Sequence, residues 1–396
     1  MSAEAPVLRL GVAGLGMAGS GILAAVARHP GFVVGGAATR EPSRRAAFTA
    51  QYGVPCFSSV EELCQSDAVD VVYIATPTEF HAEHVLAAVA GGKHVIVEKP
   101  MATRLEDAHR MVEAVAAAGV TLVVGHSHSF EPPIQAMRGL IAGGRLGELG
   151  MIHSWYFNDW LYRPRTAQEL DTAQGGGVTF RQGAHQFDII RYLGGGMVRS
   201  VRAMTGRWDP SRPTEGAHVV YLEFENGVPA TAVYSGYDHF WTAELTFSLG
   251  EWGEPLQLRW AASRRRLAEA RAQGVPESAL KRGQGFESAE NPLSRPTPHH
   301  PFFGLTLVSL TGGDIRQSPD GLWLYTDGGK EEVVIPKERT GRDRLLQELY
   351  DAVVHGVPPT HDAAWGRATL EVSLAVLQSA RERREVFLRY QTPVPG

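Results

Sequence analysis

The sequence predicts two units. An α/β unit built on a parallel sheet comes first, and an α+β unit with an open, mostly antiparallel sheet follows. Three observations carry this. Short apolar runs alternate with helical stretches up to about residue 127, a rhythm that needs crossover helices and a sheet covered on both faces. From about residue 149 strand-like runs follow one another, with hairpin signals such as Glu225-Asn226-Gly227. The 396 residues also exceed one domain of ~150, so two or three are expected.

The elements follow in order. Residues 7–13 form a β-type run that passes directly into glycines, and 19–27 reads as helix. A strand over 32–37, a helix over 44–51 and a continuous apolar strand over 69–75 come next. Residues 79–91 read as helix, stopped by Gly91-Gly92, and 94–97 as strand. Thr103-x-x-Glu106 has the spacing of a capping box. The helix it opens carries Ala108, Met111, Val112 and Val115 at helical period and stops at Gly119. Residues 121–124 are a further strand, and the first unit ends at 127. The second unit, 128–396, shows strands at 149–158, 198–206, 217–225, 228–237 and 243–250, interrupted by a helix over 181–193. Shorter strands are expected near 304–311 and 320–335, and terminal helices over 342–355 and 363–382. Residues 253–302, with Arg264-Arg265-Arg266 and then Pro, Gly and Ser, fit neither pattern and read as an irregular excursion, a lid or a subunit arm.

The formal charge of −5 argues against a nucleic-acid partner, which favours a basic surplus. No segment approaches the ~20 apolar residues of a membrane span, and Met1 to Pro6 shows no secretory signal. Cys56 and Cys64 are the only cysteines; two thiols make no disulfide framework, and a cytoplasmic protein is expected. No His, Cys and carboxylate set has metal-ligand spacing, so no metal is expected.

Gly14-Leu15-Gly16-Met17-Ala18-Gly19 is a G-x-G-x-x-G that follows a strand and opens a helix. The first glycine permits the tight turn and the second the approach of a pyrophosphate. The third permits close helix–strand packing, and the helix N-terminus faces the anion. This context predicts a Rossmann unit binding NAD or NADP. At the end of the second strand an acidic residue selects NAD and an arginine NADP. Thr39 stands where the acid is expected and Arg40 follows, which leans to NADP.

Together with Ala75-Thr76-Pro77, Glu98-Lys99-Pro100, Gly175-Gly176-Gly177 and Gly183-Ala184-His185-Gln186-Phe187-Asp188, this fingerprint resembles the glucose–fructose oxidoreductase / inositol dehydrogenase (Gfo/Idh/MocA) family over nearly the whole chain. The resemblance implies catalysis by Lys99 and His185. It implies a cofactor resting on Gly14, Gly16, Met17, Ala18 and Gly19, meeting Thr39 and Arg40, and running past Thr76 and Pro77 to Glu98 and Lys99. It also implies a homo-oligomer, dimer or tetramer, formed through the C-terminal sheet. A lysine in a closing cleft beside a cationic nicotinamide has its pKa lowered toward that of a working base. Asp188 either orients the His185 ring or caps locally.

The chain departs from its sugar-acting relatives in one position. They place an aspartate four residues before the histidine, where this chain has Arg181. Four residues apart on the helix over 181–193, Arg181 and His185 share a face, so a small anionic substrate is expected. Arg163 and Arg165 offer further guanidiniums suited to carboxylates, with Trp155, Phe157, Trp160 and Tyr162 as ring surfaces; the alternative is a solvated basic loop beside core aromatics. The runs 158–165, 169–177 and 125–130 resemble the branch of the family that acts on phthalate cis-dihydrodiols. That branch implies oxidation of a cis-4,5-dihydrodiol of phthalate to 4,5-dihydroxyphthalate and leans to NAD. Substrate contacts then fall to Lys99, Arg163, Arg165, Arg181, His185, Trp155 and Tyr162. His126 and His128 either touch substrate or cofactor or are buried structural histidines. The rival functions are a sugar or cyclitol dehydrogenase of the same fold and a non-catalytic NAD(P)-binding regulator.

Overall fold

The computed structural model describes residues 6–125, 127–281, 297–337 and 339–395. The first unit runs β1 (Leu8–Ala13), α1 (Met17–Val26), β2 (Phe32–Ala38), α2 (Pro42–Tyr52), β3 (Cys56–Phe57), α3 (Val60–Gln65), β4 (Val71–Ile74), α4 (His81–Ala90), β5 (His94–Val97), α5 (Leu105–Ala118) and β6 (Leu122–Val124). Its sheet has the order β3-β2-β1-β4-β5-β6, parallel throughout. The chain reverses direction of winding between β1 and β4, the switch point where α/β sheets open a crevice at their carboxyl ends. The near-continuous apolar strands VVYI and HVIV are buried along almost their whole length, as a sheet covered on both faces requires.

The second unit adds α6 (Pro132–Ala142), β7 (Leu149–Phe157), α7 (Val178–Arg181), α8 (Gly183–Gly194), β8 (Val198–Gly206), β9 (Ala217–Phe224) and β10 (Pro229–Ser235). Then come α9 (Ala262–Ala272), α10 (Glu277–Lys281), β11 (Leu305–Leu310), β12 (Gly313–Ser318), β13 (Gly321–Thr326) and β14 (Gly329–Val334). The chain ends with α11 (Gly341–His355), α12 (Ala363–Glu382) and β15 (Val386–Phe387). Its nine-stranded sheet has the order β14-β13-β12-β11-β7-β10-β9-β8-β15. Only the β7–β10 pair is parallel. Helix α8 packs on one face, where Phe187, Ile190 and Leu193 join Ile152, Val220 and Ala232 in one core. The other face leaves Met151, Trp155, Val219 and Tyr221 exposed. No helix among the described residues is long and apolar enough to cross a membrane.

Chain order and spatial order part at the terminal helices. Leu345, Leu346 and Leu349 of α11 are buried with Leu10, Ile22 and Phe32 of the first unit, and Arg28 pairs with Asp343 at 2.7 Å. The α11 helix therefore completes the nucleotide-side core, although it lies in the 128–396 segment.

Several expected elements differ. Thr103 and Glu106 form no capping box: the N-cap of α5 is Arg104, with no side-chain bond to the helix, and Glu106 faces Arg104 instead. Residues 243–250 are not a strand. A 3-10 turn covers Thr242–Leu245, and Phe247 and Ser248 take φ of +59° and +55°, which ends any extended run. The excursion at 253–302 holds α9 and α10, and its stretch 282–296 lies outside the described residues. The helix expected over 181–193 is two helices, broken at Gln182. Helix α6 carries Pro132-Pro133 in its first turn, where no intrahelical N–H is needed.

Candidate active site

The glycine loop behaves as its spacing demands. Gly14 takes φ +95°, and a Cβ there would lie 2.8 Å from the carbonyl oxygen of Ala75. A Cβ on Gly19 would lie 1.9 Å from the carbonyl oxygen of Gly14, so only glycine lets α1 approach β1. Gly16, the N-cap of α1, has nothing within 4 Å of its Cβ position. It borders a cavity of about 870 Å³ lined by Gly14, Gly16, Met17, Ala18, Thr39, Arg40, Thr76 and Pro77. Unfilled space at the N-terminus of a ten-residue helix fits a dinucleotide pyrophosphate. Gly19, Glu98 and Lys99 do not line this cavity. Arg40 is exposed at its rim and forms no ion pair among the described residues, whereas Arg44 pairs with Glu41 at 2.9 Å.

The end of β5 presents Glu98 and Lys99. The Glu98 carboxylate turns inward and accepts from the Tyr73 hydroxyl at 2.5 Å, which anchors the strand end rather than reaching into the cleft. Lys99 Nζ donates to the Arg181 carbonyl oxygen at 3.3 Å. Burial pushes the Lys99 ammonium down, opposed by Glu98 and Glu251 and assisted by Arg181 and Arg342. The His81 ring nitrogens each lie 2.9 Å from a carbonyl oxygen, of Pro100 and of Thr76. This ring ties the cofactor loop to the loop that follows Lys99. His185 sits in the first turn of α8 and is buried. Its ring packs 5.0 Å from Phe303 and 4.8 Å, edge to face, from His128. His126 lies outside the described residues.

The guanidiniums are distributed differently from the expectation. The interruption at Gln182 places Arg181 at the end of α7 and His185 in α8. Arg181 Nε donates to the Gly175 carbonyl at 2.9 Å and Nη1 to Thr78 Oγ1 at 3.1 Å. It lines the dinucleotide cavity and has no ion-pair partner among the described residues. Arg163 and Arg165 line a second cavity of about 740 Å³, together with Tyr162 and Trp252. The two cavities share Gly16, Met17, Thr166, Glu169 and Lys281. Arg163 pairs with Asp159 at 2.7 Å and with Glu251 at 3.3 Å. Arg165 stacks on Trp160, 4.0 Å from the ring centroid, and pairs with Glu169 at 3.2 Å. Burial pushes the Arg165 guanidinium down to about 10, against the pull of Glu169, so it stays charged at neutral pH. Tyr162 donates to Asp209 at 2.5 Å. Trp155 lines neither cavity. Strand alternation puts it on the open sheet face, 46% exposed, while Ser154 and Tyr156 face the helices.

Two further residues border the site. Glu251 is buried between Arg163 and His128, whose Nε2 lies 3.9 Å away. Burial alone would push its carboxyl up, but His128, Arg163 and Lys99 bring it down to about 2. Arg266, from α9, lines the second cavity. The available signals were the glycine-flanked Gly250-Glu251-Trp252-Gly253 and the arginine run at 264–266.

Asp188 does not bond His185. It accepts from Trp365 Nε1 at 2.6 Å, Thr369 Oγ1 at 3.2 Å and the Ser129 hydroxyl. Ser129 Oγ is also 2.9 Å from His361 Nε2, and His361 Nδ1 is 3.0 Å from Glu348. This has the connectivity of a nucleophile–base–acid triad, but Ser129 is 0% exposed. The network is a buried scaffold under α8. Among the described residues no group of three or more His, Cys, Asp or Glu could hold a metal ion.

Comparison with known proteins is consistent from end to end. Residues 8–126 match the family model described as an oxidoreductase family with an NAD-binding Rossmann fold. Residues 134–251 match the GFO/IDH/MocA C-terminal domain. A 1-carboxy-3-chloro-3,4-dihydroxycyclohexa-1,5-diene dehydrogenase of Comamonas testosteroni is 38% identical over 380 residues, 94% of this chain and 95% of that one. The solved structure of a dehydrogenase from Bordetella bronchiseptica is 40% identical with a TM-score of 0.91, covering 96% of this chain and 100% of that one. An inositol 2-dehydrogenase of Leifsonia xyli is 28% identical, over 67% of this chain and 78% of its own length.

Proposed function

Because this chain belongs to the Gfo/Idh/MocA family of NAD(P)-dependent oxidoreductases, we propose that its substrate is the cis-dihydrodiol of a ring-carboxylated aromatic compound, oxidised to the catechol. The observation that carries this reading is Arg181. Its guanidinium lines the dinucleotide cavity and has no ion-pair partner among the described residues, and its backbone carbonyl accepts from Lys99. Such a cation favours a ligand that supplies the missing anion. The 38% identity to a dehydrogenase named for a carboxylated dihydroxycyclohexadiene supports the same class. A phthalate-type diacid is the second reading, favoured by Arg163 and Arg165 lining the adjoining cavity.

The bound nicotinamide supplies the hydride acceptor. Lys99 takes the proton of one ring hydroxyl, and the C–H bond on the same carbon breaks with its electron pair. The product ketone then shifts a ring proton to oxygen and becomes aromatic. His185, packed against His128 and Phe303, is assigned the second role, holding the substrate oxygen.

Arg181→Met should raise KM for a carboxylated dihydrodiol about 30-fold or more, since losing a buried charge-assisted pair costs about 2–5 kcal/mol. The rate on a neutral polyol should not fall with it. Steady-state kinetics on both substrates check this, and an unchanged KM removes Arg181 from the binding site. At the far end of the cavity Arg40 favours a 2′-phosphate and therefore NADP. Titration should give tighter binding of NADP than NAD, with Arg40→Asp reversing the order. Equal affinities in both proteins would exclude Arg40 from cofactor choice.

A further inference from the structure

The glycine loop leaves most of a pyrophosphate's charge unanswered. Residues 14–27 carry no charged side chain, so the loop offers only backbone N–H groups and the N-terminal dipole of α1. That dipole amounts to about half a positive charge, against one negative charge on each phosphate of a dinucleotide. Further positive charge has to come from outside the loop. The second cavity reaches the same place, since Gly16 and Met17 line it. Five cations line it as well: Arg44, Arg163, Arg165, Arg266 and Lys281. Four of them are engaged by carboxylates of the chain. Arg44 meets Glu41 at 2.9 Å, Arg163 meets Asp159 at 2.7 Å, and Glu169 holds both Arg165, at 3.2 Å, and Lys281. Arg266 is exposed and forms no ion pair among the described residues.

Helix α9 presents that arginine to the cavity. Ser263, Arg266 and Leu267 all line it, and their spacing of i, i+3 and i+4 makes them one helix face. The start of α9 is fixed to the second unit. The Ala261 N–H donates to the Asp238 carbonyl oxygen at 2.8 Å and the Arg264 N–H to the Asp238 carboxylate at 2.9 Å. Ser263 Oγ donates to Asp159 at 2.6 Å, and the Arg264 guanidinium lies 4.1 Å from the Tyr162 ring centroid. We propose that Arg266 is a cofactor-binding residue: from the second unit it pairs with the pyrophosphate of the dinucleotide that the glycine loop receives. A guanidinium fork matches phosphate oxygens at two points. Cofactor binding then joins the two units through α9. This role needs only the dinucleotide site and is independent of the substrate class.

Fluorescence titration with NADH and NADPH tests it in the wild type, Arg266→Met and Arg266→Lys. ADP-ribose serves as a displacing ligand that keeps the pyrophosphate and lacks the nicotinamide. At an exposed position neither substitution threatens the fold. Losing one charge-assisted pair weakens binding about tenfold. Arg266→Met should therefore raise Kd for NADH, NADPH and ADP-ribose by a common factor of about that size, because all three share the pyrophosphate. Arg266→Lys keeps the charge and should lose less. A loss confined to NADPH would place Arg266 at the 2′-phosphate and overturn the proposal. Unchanged Kd for all three ligands would overturn it too, and a raised KM for a carboxylated dihydrodiol beside them would give Arg266 to the substrate instead. A loss in Arg266→Lys as large as in Arg266→Met would make the effect one of shape rather than charge, which also counts against the pairing.

Discussion

Lys99→Met is expected to lower kcat by about 10²- to 10⁴-fold, the usual contribution of a positioned general base, with dinucleotide affinity kept within a few fold. Lys99 does not line the dinucleotide cavity, and its Nζ is held by the Arg181 carbonyl at 3.3 Å. Methionine keeps an unbranched stem close in size to the lysine methylenes and lacks the titrating nitrogen. The pH dependence carries the same assignment. Burial, with Arg181 and Arg342, pushes the Lys99 ammonium below its ordinary range. A base must be neutral to accept a proton, so kcat/KM should rise with pH through this lowered pKa and level off above it. In Lys99→Met that rising limb should disappear. Stopped-flow reduction of the nicotinamide and cofactor fluorescence titration separate chemistry from binding. A kcat within a few fold of wild type would assign the proton to another group.

The second large effect falls on stability rather than chemistry. Asp188→Ala should destabilise the protein by at least about 3 kcal/mol, because it strands the buried donors of Trp365, Thr369 and Ser129, at about 1–3 kcal/mol each. Asp188→Asn keeps one acceptor and should lose less. Urea unfolding followed by circular dichroism reads the difference, and kcat per folded molecule should stay near wild type. Asp188 orienting the His185 ring would give the opposite pattern, with activity lost and the unfolding midpoint retained.

These contrasts show where residue order informs and where it stops. Gly14, Gly16 and Gly19 were legible because backbone geometry at a strand–helix turn restricts the residue locally. The parallel sheet was legible because VVYI and HVIV need cover on both faces. Trp155 was misplaced because its face depends on the register of β7, which one strand's own pattern does not reveal. One helix is expected over 181–193 because nothing local marks the interruption at Gln182. The glycines at 176 and 177 pass against the carbonyl of Gln168 and the carboxylate of Glu215, contacts made only on folding. Glu251 escaped notice for the same reason. The residues that hold it, Arg163 and His128, come from 88 and 123 residues upstream. The charges of Arg163 and Arg165 were readable, but not that carboxylates from their own chain already engage them.

The most direct measurement incubates the purified protein with NAD or NADP and the cis-3,4-dihydrodiol of benzoate, recording reduced nicotinamide and 3,4-dihydroxybenzoate together, with myo-inositol in parallel. Equal amounts of reduced cofactor and dihydroxybenzoate, with turnover of the dihydrodiol far above that of inositol, are the expected result. Brisk oxidation of inositol with no catechol formed from the dihydrodiol would contradict the assignment of Arg181, Lys99 and His185 to a carboxylated ring substrate.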